Sequence, residues 1–281
     1  EAMKQQIVDL WRASFGDPED FIRLWFGRVY REEDTLAATE GGRVVAALQT
    51  VPYAMTCHGE RVAAAYVCGV CTLPSERGKG RMTALMRQAM GVMRDRGFAL
   101  AMLVPASEWL FDYYRRFGFA VAFRYSVETH LSGRAAPPAA CRIAPSGCIT
   151  AEGVFPFYDR VQCARDCAVL HDAYGLETVR LDCVAEGGDC WTALVDGQMA
   201  GIAFAVPQAD GRVFIKEIAC DGDVLRRAMI QAVMRHYGAR AATVRIPPVA
   251  AASVPYGMAC VLDTERMRDL RATAYMNLML D

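Results

Sequence analysis

The chain has 281 residues, 53% of them hydrophobic and 22% charged, with a net charge of −1. That length suits two domains of roughly 100–200 residues, and the composition excludes broad disorder. A nearly neutral chain has no overall field that would draw it to nucleic acid or an anionic membrane. Apolar stretches such as Ala63–Val70 fall far short of the ~20 residues a membrane span needs, and Glu1-Ala2-Met3-Lys4 leads into an amphipathic pattern rather than a signal peptide, so a cytoplasmic protein is expected.

Ile7, Leu10, Trp11 and Phe15 recur at helical spacing over Lys4–Phe15. Asp17-Pro18 breaks that helix, and Phe21, Leu24, Trp25, Phe26 and Val29 form the stripe of a second one ending near Tyr30. The period then shortens. Thr35–Thr39, Arg43–Pro52 and Arg61–Leu73 read as strands separated by the turns Glu40-Gly41-Gly42 and His58-Gly59-Glu60. A helix over Gly80–Arg96, a strand over Phe98–Val104, a helix over Ser107–Phe117 and a strand over Phe119–Leu131 complete the unit. This alternation predicts an α/β fold on a mixed sheet.

Ala135-Ala136-Pro137-Pro138-Ala139 is a plausible linker, dividing the chain into domains of residues 1–134 and 135–281. Beyond it the grammar partly recurs. Trp191–Val195, Met199–Val206 and Val213–Cys220 read as strands, Asp223–Tyr237 as a helix and Ala242–Ile246 as a strand, which indicates an internal duplication.

Of the eleven cysteines, Cys68, Cys71, Cys183, Cys190 and Cys220 sit in apolar strand-like runs, where cysteine behaves as a small hydrophobe. Cys68 and Cys71 have CxxC spacing, but residues three apart on a regular strand face opposite sides, and no second CxxC or histidine cluster accompanies them. No metal or redox centre is expected.

Chemistry concentrates between Val67 and Met86. A buried strand ends at Pro74, a loop containing Gly78 and Gly80 turns, and a helix begins. Glycines let backbone N–H groups approach a ligand, and a helix N-terminus carries about half a positive charge, which suits phosphate. Between Ser75 and Gly97, Arg77, Lys79, Arg81, Arg87, Arg94 and Arg96 stand against only Glu76 and Asp95, so a compact polyanion is the natural guest. The loop is neither a P-loop nor a dinucleotide fingerprint, and taken alone so short a glycine motif also fits a basic surface turn capping a helix.

A second motif lies downstream, in Leu103-Val-Pro-Ala-Ser-Glu-Trp-Leu-Phe-Asp-Tyr-Tyr-Arg-Arg-Phe-Gly-Phe119. Together the two runs resemble the GNAT N-acetyltransferases, which have a Q/R-x-x-G-x-G/A loop and a later helix ending in Y-x-x-x-G-F. Ser75-Glu76-Arg77-Gly78-Lys79-Gly80 falls on the first pattern and Tyr114-Arg115-Arg116-Phe117-Gly118-Phe119 on the second. The resemblance covers about residues 5–130 and implies tandem GNAT folds, the second degenerate, with acetyl-CoA as co-substrate and no metal.

Carried over residue by residue, it implies that Val70, Cys71 and Thr72 offer backbone groups to the pantetheine, and that Arg77, Gly78, Lys79, Gly80, Arg81 and Met82 line the pyrophosphate loop. It implies also that Tyr114 is the general acid, a phenol being protonated at neutral pH. Tyr113, about 100° around the helix, reads as core. Ser107 stands where relatives carry a pantetheine-binding Asn, and Ser75 where Gln or Arg is usual; a Ser at 107 can still cap the helix. The base stays open among Glu108, Asp112, Glu217, the terminal carboxylate of Asp281 and water.

The arrangement looks most like the two GNAT domains of the enhanced-intracellular-survival type of acetyltransferase, without room for a sterol-carrier-like third domain after Asp281. Where the second domain's loop should fall, Cys220-Asp-Gly-Asp-Val-Leu225 puts acids in place of phosphate-binding residues, which points to a substrate-shaping or dimerising role. The expected activity is transfer of an acetyl group to a primary amine of a small molecule or peptide, with no nucleic-acid or membrane partner and a homo-oligomer left open. The alternative is a non-catalytic acyl-CoA-binding regulator or scaffold, favoured by the departures at Ser75 and Ser107.

Overall fold

A computed structural model describes residues 2–149, 153–249, 252–267, 270 and 274–280. They divide into two compact units, residues 1–123 with 255–274 and residues 124–254 with 275–281.

The first unit opens with helices α1 (Ala2–Phe15) and α2 (Glu19–Arg28). Ile7, Leu10 and Trp11 of α1 and Ile22, Trp25 and Phe26 of α2 are buried, the i, i+3, i+4 stripe that the sequence displays. Strands β1 (Thr35–Glu40), β2 (Arg43–Cys57) and β3 (Glu60–Thr72) form an antiparallel meander. Helix α3 (Arg81–Asp95) then crosses to β4 (Leu100–Leu103), which runs parallel to β3 as a strand–helix–strand crossover must. Helix α4 (Glu108–Arg115) follows. Leu85, Met86, Ala89 and Met90 of α3 share one core with Tyr114 of α4 and with Ala65, Val67 and Leu103 of the strands.

The next strand, β5 (Ala120–Leu131), does not close this sheet through its body: Ser126–Leu131 pair antiparallel with a strand of the second unit. Its counterpart β12 (Val254–Val261) lies antiparallel to β4. Each sheet is therefore finished by a strand from the opposite half of the chain. The compact units differ from the linear division at residue 134, because composition marks a linker but not which sheet a strand joins.

The second unit contains β6 (Cys141–Pro145), α5 (Val154–Cys163), β7 (Val169–Leu170), α6 (Ala173–Ala185), β8 (Asp189–Val195), β9 (Gln198–Pro207), β10 (Arg212–Cys220), α7 (Asp223–His236) and β11 (Ala241–Ile246). Its sheet runs β6-β8-β9-β10-β11-β5, antiparallel except for β10 and β11. The meander followed by a crossover repeats the first unit, as the recurring sequence grammar predicts.

Among the described residues no helix is long and apolar enough to cross a membrane, and no disulfide is present. Burial raises the thiol of Cys71 to about 12, which keeps it protonated and unreactive.

Candidate active site

Two irregularities in β3 define the site. Gln49 of β2 stands opposite Cys68 and Ala47 opposite Cys71, so three steps of β3 answer two of β2. This is a β-bulge, and it falls at Gly69, whose φ of +58° only glycine adopts without strain. Because Ala47 and Gln49 share a face of β2, their partners Cys68 and Cys71 share a face of β3. The regular-strand expectation for that CxxC pair is corrected by the inserted residue.

The second irregularity is that β3 and β4 pair only over Ala64–Tyr66 and Leu100–Met102. Val67–Thr72 run on while β4 ends at Leu103. The strands part there, leaving an edge whose backbone groups are available to an extended ligand. Val70, Cys71 and Thr72 lie on it, past the bulge; the Cys71 side chain is buried and Val70 packs against the core.

β3 leads into the glycine turn. Gly78 and Gly80 have φ of +78° and +76°, and a Cβ at either would meet no atom within 4 Å. Their lack of side chains thus serves no packing need; it leaves open space in front of the backbone. Gly80 is the N-cap of α3 and no side chain caps the helix. Its first N–H groups, which have no intrahelical acceptor, thus receive no side-chain cap, as an anion site requires.

The basic residues are distributed differently from their sequence count. Lys79 and Arg81 lie at this end, but Glu76 holds both, at 2.8 and 2.6 Å, and Arg81 also pairs with Glu40. These partners, Lys79 first and then Arg81, keep the Glu76 carboxyl below its ordinary range. Arg77 is exposed, its Nε donating to the Thr72 carbonyl at 3.2 Å. Arg94 and Arg96 lie near the far end of α3, roughly 20 Å away at 1.5 Å per residue, where Arg96 pairs with Asp34 at 2.7 Å. The positive field at the turn therefore comes from Arg77, from partly neutralised Lys79 and Arg81, and from the helix end.

Tyr114 is 5% exposed on α4, edge-on to Phe119 and Tyr113. Burial first, then Tyr113 and Cys68, push its phenol above the ordinary value, so it stays protonated across the physiological range. Tyr113 is only partly buried, with Arg116 stacked 4.5 Å from its ring, and is thus less enclosed than Tyr114. Ser107 occupies the N-cap of α4, but its hydroxyl makes no capping hydrogen bond, contrary to the expected cap.

Of the suggested bases, Glu108 and Asp112 are exposed on α4, and Asp112 pairs with Arg115. Glu217 belongs to the second unit, where it accepts from the Tyr275 hydroxyl at 2.6 Å and from Asn277 Nδ2 at 3.1 Å. Asp281 lies outside the described residues.

The second unit repeats the frame but fills it. β10 carries the equivalent bulge, between Ile215 and Glu217, and parts from β11 after Ile215. The inserted residue is Lys216, 2% exposed, whose Nζ reaches Glu186 at 2.6 Å, Met279 O at 3.1 Å and Asp182 at 3.3 Å. Asn277 spans the parted strands: its Nδ2 donates to Lys216 O at 2.6 Å and its Oδ1 accepts from Arg245 at 3.1 Å. The tail from Tyr275 thus packs inside this unit. A cavity of about 490 Å³ opens at the head of α7, but its charged lining is Asp221 and Asp223, which repel phosphate.

Residues 1–122 match the family model of an acetyltransferase (GNAT) domain. No curated protein matches the sequence. Among solved structures the chain is similar to a GCN5-related N-acetyltransferase from Kribbella flavida, at 19% identity and a TM-score of 0.77, with 96% of this chain and 71% of that one covered. It is similar also to Eis1 from Mycobacterium abscessus, at 17% identity and a TM-score of 0.74, covering 96% and 74%. A tandem GNAT protein from the clavulanic acid biosynthesis pathway aligns at 15% identity and a TM-score of 0.54, covering 93% and 95%. At such identities the likeness is one of fold. The glycine turn, the parted strands and Tyr114 all fall within the span that matches the GNAT acetyltransferase domain, and the fold of the chain is that of its tandem-GNAT neighbours.

Proposed function

We propose that the protein moves an acetyl group from acetyl-CoA directly to a primary amine of a small molecule or peptide. The observation that carries this reading is the combination, within one unit, of an unfilled glycine turn at an uncapped helix and a buried, protonated tyrosine. The residues fit the co-substrate. Arg77, Gly78, Lys79, Gly80, Arg81 and Met82 would hold the diphosphate, chiefly through backbone N–H groups, and the edge at Val70, Cys71 and Thr72 would take the pantetheine arm. Ser107 would border that arm.

The amine nitrogen attacks the thioester carbonyl, the carbon–sulfur bond breaks, and Tyr114 donates its proton to the departing thiolate. The amine must lose a proton, since at a pKa near 10.4 it is almost wholly protonated at neutral pH. Glu108, Asp112, the Asp281 carboxylate or water would accept it. The first domain is the catalytic one in this proposal, and the second, with its acidic loop, shapes the acceptor site or an interface.

The test is acetyl-CoA-dependent thiol release against a panel of amines, with Tyr114→Phe lowering turnover at least tenfold while CoA binding persists. CoA binding without turnover on any amine would instead identify an acyl-CoA-binding regulator. Absence of CoA binding would sink both.

A further inference from the structure

Residues 63–71 read Ala-Ala-Ala-Tyr-Val-Cys-Gly-Val-Cys, and the single glycine permits a bulge without requiring one, so something must hold β3 away from regular pairing. The face of β3 bearing Cys68 and Cys71 supplies it. A Cβ at Gly69 would lie 2.6 Å from Trp11 Cζ3 and 3.4 Å from Gln49 Nε2, so the ring occupies the volume of the missing side chain and the amide borders it in ordinary contact.

Neither neighbour is free to yield. Trp11 is 5% exposed, its Nε1 donates to Asp17 at 2.7 Å, and its ring lies 5.5 Å from that of Trp25 and 5.4 Å from that of Phe26. Gln49 is 2% exposed, and Trp25 Nε1, a donor only, lies 3.0 Å from its amide. That contact must therefore be to Oε1, which turns Nε2 toward Gly69.

We propose that Trp11, backed by Gln49, is a wedge from α1 that holds the bulge at Gly69 and thereby sets the slot for the pantetheine arm. The proposal rests on the acyl-CoA reading above. Both are positioning residues, acting through Gly69. The lever is phase: a strand that loses its inserted residue slips by one, and every later group turns to the opposite face. Without the bulge, Val70, Cys71 and Thr72 would present the wrong backbone groups to the slot, while the glycine turn, built from its own positive-φ residues, would persist.

That separation gives the test. Isothermal calorimetry is run with CoA and with ADP, which carries a diphosphate but no pantetheine. Gly69→Ala drives a Cβ into Trp11 and is expected to weaken CoA at least tenfold while changing ADP less than twofold. Trp11→Leu alone weakens CoA in the same selective way, and in Trp11→Leu/Gly69→Ala the two losses do not multiply, because the clash is gone. Gly27→Ala on α2, where a Cβ meets no atom within 4 Å, leaves both ligands unchanged.

Parallel losses of CoA and ADP, or unchanged CoA binding by Gly69→Ala, overturn the wedge. Should Gly69→Ala fail to fold, Trp11→Leu decides by the same pair of ligands. A wild-type protein that binds no CoA refutes the acyl-CoA reading itself, an outcome distinct from a wild type that binds CoA and a Gly69→Ala variant that binds it equally well.

Discussion

Asp182 offers a prediction whose size and sign both follow from its surroundings. It is 5% exposed on α6, facing Lys216 of β10 and Glu186 one turn later. Burial raises its carboxyl to about 6; the attraction of Lys216 offsets part of that effect and the repulsion of Glu186 adds to it. Since the unfolded carboxyl titrates near 3.9, the native state binds the proton more tightly than the unfolded chain. Stability is therefore full below about pH 4 and falls as pH climbs through 6, the reverse of an ordinary salt-bridged aspartate. At 1.36 kcal/mol per unit the fall amounts to roughly 3 kcal/mol. Asp182→Asn abolishes the titration with little change of shape and leaves Lys216 bonded to Glu186 and Met279 O. Urea unfolding of the two proteins at several pH values should give equal stabilities near pH 4 and a variant more stable by about 1–3 kcal/mol above pH 7. A difference that stays constant across pH, or a variant weaker at pH 8, would refute the reasoning.

Asn277→Leu removes the amide that satisfies Lys216 O, Glu217 and Arg245, all buried. It should destabilise by about 2–4 kcal/mol in urea melts, and a loss below 1 kcal/mol would mean that the tail's side chains do not anchor it. Gly80→Ala strains a φ of +76° without a clash, so stability should drop only about 1 kcal/mol while CoA affinity falls severalfold; unchanged affinity would remove the turn from the binding site. Tyr114→Phe should lower kcat by about 10- to 10⁴-fold. Because burial raises its phenol, the wild-type rate profile should show no alkaline limb from this group below pH 10. A limb near pH 8–9 that disappears in the variant would count against that environment.

Periodicity and turn residues made the meander, the crossover helices and their order legible, because an apolar stripe and a glycine stop are local features. The loop at Gly78–Gly80 was legible for the same reason: positive φ and a helix start leave a mark in three residues. The exchange of β5 and β12 was not: only hydrogen-bond partners say which sheet β5 finishes, and Val254–Val261, with Pro255 near its start and four consecutive buried residues, carries no alternating signal of a strand. Helices α5 and α6 escaped because polar and small residues interrupt their stripes; Gly175, Thr178 and Asp182 stand within α6. Net charge misled by counting Arg94 and Arg96, which a helix of fifteen residues carries away from the turn. The lone glycine in Val67-Cys-Gly-Val70 was the one available signal of the bulge, since an isolated glycine in a strand marks a bulge or a close approach. At Gly69 it marks both.

The duplication makes the bulge its own control. Each unit inserts one residue into the third strand of its meander, just where that strand leaves its parallel neighbour. Bulge geometry alone therefore cannot distinguish a binding slot from a structural joint; what fills it can. In the first unit the inserted position is glycine, backed by Trp11 on one face, and the turn beyond holds Gly78 and Gly80 before unfilled space. In the second the position is Lys216, its charge consumed by Asp182 and Glu186, the parted strands are bridged by Asn277, and the turn beyond carries Asp221 and Asp223. A buried lysine bound to two carboxylates cannot be displaced by an incoming ligand without stranding charge, a penalty of several kcal/mol. The copy without basic residues at the turn thus also has its slot sealed, and the two features together support the proposal that the ligand binds in the unit with glycine at both places.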